Sequence, residues 1–467
     1  GPLLGQYSQV TLAGGPPVHD LGPLEYWLLA LPVHLDPNSG QLLGAAVLCA
    51  AAGVLTVEAA RAVLGTLGSV AGSLLVLGSI LWTPSIVTDP LWNPYFGDVF
   101  FQATIAAVFA ALCANRRWWV VAVFTGSVAA QAHLMFALGS VALVVVSGGV
   151  LAVRAIRTKQ RVWWLAQGLE VGVLCWLAPL YQELTGHPGN LTLLLRSEHG
   201  QRGNGLAFGL KAYAAATVPH PVWLGSSGGT AVLDRIDGSS PVVAAAVGVA
   251  ILGSALLTRR NRPLASLALI ACLLAIGLVV TYGGIPPSQS LSLAYLSAVL
   301  YPVGLLSCLA IGWGAASAVA RWLPAIASRA RSRLRPPGKT VRVVAGLVVV
   351  VLFTVAGQLR FRPPPAETHA TVAAVELIAR KIEATVPAGG PVDIRFNHPA
   401  DPLQAVDYQS GVAWLVVGGG RSPRLGPFFS DWPQLESNVP TVLITVRPTG
   451  PSVRWTPAGS APRGKHR

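Results

Sequence analysis

The residues best suited to chemistry in this chain are its carboxylates, and they are not scattered. Between the apolar segments of the first 360 residues, Asp20, Glu25, Asp36, Asp89, Asp98, Glu183, Glu198, Asp234 and Asp237 fall in one alternating set of gaps. Only Glu58 and Glu170 break that division. Such a gathering suggests a chemical site at one end of the segments. In His19-Asp20-Leu21-Gly22-Pro23-Leu24 the Asp can cap a following helix by accepting backbone N–H bonds, or bind a metal or a sugar hydroxyl. In Thr88-Asp89-Pro90-Leu91-Trp92-Asn93-Pro94-Tyr95 two prolines fix the backbone. There Trp92 and Tyr95 offer faces on which a sugar stacks, and Asp89, Asn93 and Asp98 supply hydrogen-bond acceptors. The plainer alternative is a rigid surface loop. His133, in Gln131-Ala132-His133, reads as a hydrogen-bonded interface residue or as a ligand. Glu170 lies inside an apolar segment, where a carboxylate is costly and either functional or protonated against a neighbouring helix.

The elements that must position these groups are membrane spans. Apolar residues make up 52% of the chain, charged residues 11%, and the mean hydropathy is +0.57. This is the composition of a membrane protein. The net charge of +14 is not that of a nucleic-acid binder, because the bases cluster at the ends of apolar spans. Spans are expected at 40–59, 62–82, 98–114, 117–132, 134–153, 162–181, 241–258, 263–282, 291–315 and 341–359, about ten crossings. The pieces at 98–114 and 117–132 are short, so one is tilted or re-entrant. Arg61, Arg116 and Arg117, Arg154 to Arg161, Arg259 to Arg262 and Arg321 to Arg342 occupy the other gaps. Basic gaps stay cytoplasmic, which puts the carboxylates outside. Trp82, Trp92, Trp118, Trp119, Trp163, Trp164 and Trp322 stand near span ends, as an interfacial belt would. Leu21–Val33 is too short to cross and suits a helix lying at the interface. The single methionine is Met135, so residue 1 is not a translation start, and the register implies a further helix upstream. Cys49, Cys113, Cys175, Cys272 and Cys308 lie inside apolar spans without paired spacing and read as small apolar residues.

Residues 83–97 and 182–240 form outer loops, the second long enough to be functional or structured. The first 360 residues form the membrane unit. From 361 onward the composition changes to a linker, a helix near 367–386 and strands at PVDIRF, GVAWLVVGG and TVLITVRP. That reads as a small extracytoplasmic α/β domain at 361–467, with a disordered tail after Pro451. No full phosphate-binding G-x-x-x-x-G-K-[ST] and no zinc-binding H-E-x-x-H is present.

Taken in order, GPLLGQYSQ, HDLGPLEYWLLALPVHL, LWNPY, AQAHL and LAPLYQELTGHPGNL resemble actinobacterial membrane proteins of the GT-C glycosyltransferase superfamily. Relatives of these are the protein mannosyltransferases and aminoarabinose transferases. The motifs cover about residues 1–200, and topology carries the likeness further. The resemblance implies an all-α polytopic fold, a polyprenyl-phosphate sugar donor and transfer on the outer face of the cytoplasmic membrane. The product would be a cell-envelope glycan or glycolipid. It also implies an inverting mechanism, with a divalent cation (Mg or Mn) in some members. Asp20, Asp89 and Asp98 become catalytic candidates, one acting as general base on an acceptor hydroxyl. His19, Glu25, Trp92, Asn93, Tyr95 and His133 become substrate contacts. The donor's phosphate needs outer cations, and Arg196, His199, Arg202 and Lys211 supply them, with Gly200, Gly203, Gly205 and Gly209 allowing close backbone approach. Leu206, Phe208 and Leu210 would lie against the lipid tail. The superfamily's principal Asp follows directly on its first helix, which is missing here. Either that Asp precedes residue 1, or Asp20 serves, or this chain is inactive. The expected partners are membrane lipid, the lipid-linked donor and a glycan or lipid acceptor, not nucleic acid. The alternatives are a transporter or lipid flippase, and an inactive lipid-sugar-binding scaffold.

Overall fold

A computed structural model describes residues 3–6, 18–36, 39–83, 86, 90–200, 203–217, 221–224, 229–257, 261–285 and 296–322. In the C-terminal part it describes 377–382, 384, 391–397, 422–425, 441–447 and 450–456. The chain divides into two compact units, Gly1–Val355 and Ala356–Arg467.

The first unit is helical. Its elements are α1 (Leu24–Leu35), α2 (Gly40–Leu64), α3 (Thr66–Trp82), α4 (Asn93–Cys113), α5 (Trp118–Ala132), α6 (Leu134–Arg157) and α7 (Trp163–Thr185). They continue with α8 (Asn190–Gly200), α9 (Leu206–Ala216), α10 (Gly229–Asp237), α11 (Pro241–Leu257), α12 (Arg262–Gly284) and α13 (Leu300–Trp322). Every expected span but the last falls on one of these helices, and 341–359 lies outside the described residues. Among the described residues five stretches are long and apolar enough to cross a membrane: Gly40–Leu64, Asn93–Cys113, Leu134–Arg157, Arg262–Gly284 and Ser297–Val319. The unit is thus a polytopic helical bundle.

The bundle is built round α4. This helix is apolar on all sides, the pattern of one buried among others, and α2, α3, α5, α6 and α12 pack on it. Pro94 in its first turn starts it, because that position needs no backbone N–H. The helix therefore begins at Asn93, inside the stretch read as an outer loop, and is neither short nor re-entrant. The first Asp of the span, Asp98, is fully buried rather than on the rim. Phe101 meets Phe136 of α6 with ring centroids 5.2 Å apart. The helix α1 buries Leu24, Glu25 and Leu29 and leaves Tyr26, Trp27, Leu31 and Leu35 exposed, which suits the expected interfacial helix.

Other expectations change. The tryptophan belt is divided. Trp119 and Trp164 are buried and meet edge to face at 5.5 Å, because the Trp119 indole reaches the Val144 carbonyl of α6, whereas Trp163 is exposed. Trp82 is buried too, its indole donating to the Ser297 carbonyl. The loop at 182–240 contains α8, α9 and α10. All five cysteines are free thiols.

In the second unit, helical residues 377–382 precede a four-stranded sheet of order β2-β1-β3-β4. Its strands are β1 (Pro391–Asn397), β2 (Ser422–Leu425), β3 (Thr441–Arg447) and β4 (Gly450–Thr456). The first pairs in parallel with β2 and β3, and β4 is antiparallel to β3. PVDIRF and TVLITVR are the strands read from their alternation, while GVAWLVVGG lies outside the described residues. The expected disorder after Pro451 is corrected as far as Thr456: these residues extend a ladder with Thr441–Arg447 that satisfies their backbone groups.

Candidate functional site

Short connections gather at one end of the helical bundle. The loop before α1 carries His19 and Asp20. Asn190, the first residue of α8, holds this loop by its backbone: its Nδ2 donates to the His19 carbonyl at 2.9 Å, and its Oδ1 accepts the His19 amide at 2.9 Å. The Asp20 amide donates to the Gln6 carbonyl at 2.8 Å, and the His19 ring Nδ1 lies 3.1 Å from the Gly5 carbonyl. Asn190 is held in turn, its amide donating to Gln182 Oε1 at 2.8 Å. Beside it Glu183 caps α8, accepting from the Leu191 amide at 2.8 Å, the Thr192 amide at 3.2 Å and the Thr192 hydroxyl. The Thr192 hydroxyl foremost, then the two amides, holds this carboxyl below its usual range against partial burial.

So anchored, Asp20 points inward and is 3% exposed. Asn93 meets it from the start of α4, its Nδ2 donating to Asp20 Oδ2 at 2.6 Å and to the Ala132 carbonyl at 2.7 Å. The Leu134 amide, at the start of α6, also donates to the Asp20 carboxyl. Burial raises Asp20 well above the ordinary carboxylate range, and the Leu134 amide and Asn93 oppose that rise. Glu25, in the first turn of α1, is also buried. Burial first, then the neighbouring Asp20 charge, pushes it up to about 8. His133 sits between α5 and α6 and caps α6, its Nδ1 accepting the Met135 amide at 3.2 Å. Burial lowers it to about 4, so it is neutral near neutral pH. A ring that accepts at Nδ1 carries its hydrogen on Nε2.

The arrangement can hold and release protons. Two buried carboxylates side by side do not both ionise readily, and groups so displaced toward neutrality suit general acid–base work. Asp20 has in addition two donors that stabilise its charge, one of them at the positive end of a helix.

The structure thus brings together His19, Asp20, Glu25, Asn93 and His133, and it reassigns Asp20's backbone role. The N-cap of α1 is Pro23, without a side-chain cap bond, because Asp20 lies a turn too early and its carboxyl is engaged by α4 and α6. Asp98 is held apart by its own partners, Ser79 and Gln102. Tyr95 is buried and meets the half-buried Trp92 edge to face at 5.0 Å. Arg196 is exposed on α8. Lys211 of α9 is engaged elsewhere, donating to the Asp237 carbonyl at 3.2 Å with the Asp237 carboxylate at 3.9 Å. Asp89, Arg202 and the His199 side chain lie outside what is described. Two of the glycines, Gly203 and Gly209, serve packing, whereas Gly205 has a φ of 83° and open space about it. A Cβ on Gly203 would stand 2.4 Å from the Gly283 carbonyl oxygen, and one on Gly209 2.0 Å from that of Val279, so both admit α12. Glu170 is exposed on α7 rather than bonded to another helix. Sequence reasoning passed over Asn190 and Gln182. The only signal was their place in QELTGHPGNL.

Among the described residues no three of His, Cys, Asp and Glu gather as metal ligands. The donors at Asp20 are amides that satisfy a carboxylate, which does not fit a divalent ion held by several protein ligands, and no step is routed through one. The chain matches no protein-family description, no curated protein and no solved structure. Fold and site define a polytopic helical membrane protein with a buried carboxylate pair at one end of its bundle.

Proposed function

We propose that this protein is a GT-C-type glycosyltransferase, transferring a sugar from a polyprenyl phosphate to an acceptor hydroxyl on the outer face of the cytoplasmic membrane. The observation that carries the reading is Asp20: a buried carboxylate, oriented by Asn93 and the α6 amide, beside a second carboxylate. Asp20 takes the proton of the acceptor hydroxyl as its oxygen attacks the anomeric carbon. The bond from that carbon to the phosphate oxygen breaks, and the polyprenyl phosphate leaves with the electron pair. Glu25 is displaced toward its protonated form, and the Leu134 amide and Asn93 favour the ionised form of Asp20. In this reading His133 and Trp92 are substrate contacts. Arg196 is the cation retained for the phosphate. It lies six residues along α8 from Asn190, which grips the Asp20 loop, a distance of roughly 9 Å on a helix. A guanidinium donates two parallel bonds to a phosphate.

In the same reading about ten helices cross the membrane. The end carrying Asp20 faces outward, and the small sheet-bearing domain at 361–467 is extracytoplasmic. Support comes from the other end of the bundle, where Arg116, Arg154, Arg157, Lys159 and Arg262 collect, as cytoplasmic ends do. The transporter reading rests on one mid-span charge, Glu170, which is exposed on α7.

The test is transfer from a panel of radiolabelled polyprenyl-phosphate sugars by the purified protein in nanodiscs. Wild type should transfer one of them, and Asp20→Asn should bind it equally but lose about 100-fold or more in rate, the usual worth of a positioned base. Binding without transfer in wild type would leave an inert scaffold, and no binding at all would end the assignment.

A further inference from the structure

The central helix carries a second buried polar group, one turn and a half below Asn93. Asp98 is 0% exposed and Gln102, one turn on, is 1% exposed. Gln102 Nε2 donates to Asp98 Oδ2 at 2.7 Å and to the Ser79 hydroxyl of α3 at 2.7 Å, and Ser79 also meets the Asp98 carboxyl. Two atoms of this cluster have no partner among the described residues: Asp98 Oδ1 and Gln102 Oε1. Both are acceptors as built, and they belong to the two groups already joined through Oδ2 and Nε2. A buried acceptor without a donor costs a few kcal/mol, and a buried bare charge costs more. One hydrogen answers both. Placed on Oδ1 and turned to Oε1, it closes an acid–amide ring in which each group donates once and accepts once. Turning the amide over does not remove the need, because Oε1 would then face Oδ2 and the hydrogen would move there.

We propose that Asp98 is a proton-binding site, a neutral carboxylic acid paired with the Gln102 amide in the middle of the bundle. No cation balances a charge there: among the described residues Asp98 forms no salt bridge. The titratable groups interacting with it are the Cys49 thiol on α2 and the Tyr301 hydroxyl on α13. Both are uncharged near neutrality. Asp98 in this state is no base. Its role is to bind a proton between α3 and α4, independently of whether Asp20 catalyses sugar transfer.

The test uses the full chain in nanodiscs at neutral pH, labelled with carbon-13 in aspartate. The infrared spectrum should show a protonated-carboxyl C=O stretch that Asp98→Asn removes. The same variant should melt with wild type, because an Asn amide replaces the acid in the ring, whereas Asp98→Leu should melt several degrees lower. Should Asp98→Asn fail to accumulate, Gln102→Met reads the pair from the other side, and the acid band should persist but shift. Three results would overturn the proposal. One is an Asp98→Asn spectrum that loses only a carboxylate band. Another is an acid band that Gln102→Met leaves in place. The third is a melting temperature raised by sodium or potassium in wild type but not in Asp98→Asn, which would make the site one for a metal cation.

Discussion

Replacing Asn93 by Ala isolates the joint on which the candidate site depends. Asn93 is 4% exposed and uses both hydrogens of Nδ2, one on Asp20 Oδ2 at 2.6 Å and one on the Ala132 carbonyl at 2.7 Å. Alanine removes both. A hydrogen bond to a charged group is worth about 1.5–3 kcal/mol, and a buried carbonyl left without a donor costs about 1–3 kcal/mol. Water entering the vacated space offsets part of this. The expected loss is about 2–4 kcal/mol in equilibrium unfolding from mixed micelles. Because Asn93 opposes the rise that burial imposes on Asp20, the Asp20 carboxyl should titrate still higher in the variant. The coupling is separable by a double-mutant cycle with Asp20→Ala. A coupling of about 1 kcal/mol or more should remain after the single losses are subtracted. A loss below about 0.5 kcal/mol, or additive single effects, would mean that the Asn93–Asp20 bond does not hold the site, and the reasoning would fail.

Two further outcomes are expected. Glu25 is displaced upward, so the folded state binds its proton more tightly than the unfolded state, and its contribution to stability is complete below about 4.5 and falls as pH rises to about 8. In Glu25→Gln that fall, up to roughly 5 kcal/mol, should disappear from the pH–stability curve, leaving the contribution of Asp20; an unchanged curve would show that Glu25 titrates normally. For orientation, an impermeant thiol reagent applied to intact cells should label Ser240→Cys and spare Lys159→Cys, and the reverse would invert the proposed membrane sidedness.

Much of the framework was legible because hydropathy and charge are read along the chain, and helices obey both. The ends of α2, α6, α7 and α12 fall within a few residues of where apolar runs meet arginines. Asp20, Asn93 and His133 were legible as candidates because polar residues at helix ends have few uses. Their pairing was not. Asn93 and Asp20 are 73 residues apart, and Asn190 and His19 are 171 apart. No local pattern encodes a contact across that distance. Gly203 and Gly209 were ambiguous for a related reason: absence of a Cβ serves a phosphate and a packed helix equally, and the approach of α12 is visible only in the fold. Asp98 was misplaced because Pro94 starts α4 earlier than the apolar run does, drawing the carboxylate from a supposed rim into the bundle.

The inner end of α4 has a consequence for motion. The Leu112 carbonyl accepts from Arg154 Nη1 at 3.1 Å and from Arg262 Nε at 2.7 Å, so guanidinium groups from α6 and α12 grip the same last turn. At the opposite end Asn93 is bonded to the Asp20 loop and to α5. A helix fastened at both ends by other helices cannot ratchet one turn, about 5.4 Å, past its neighbours without releasing every fastening. The bundle round α4 is therefore fastened at both ends, and any sliding of α4 past its neighbours has to break the Leu112 and Asn93 bonds together.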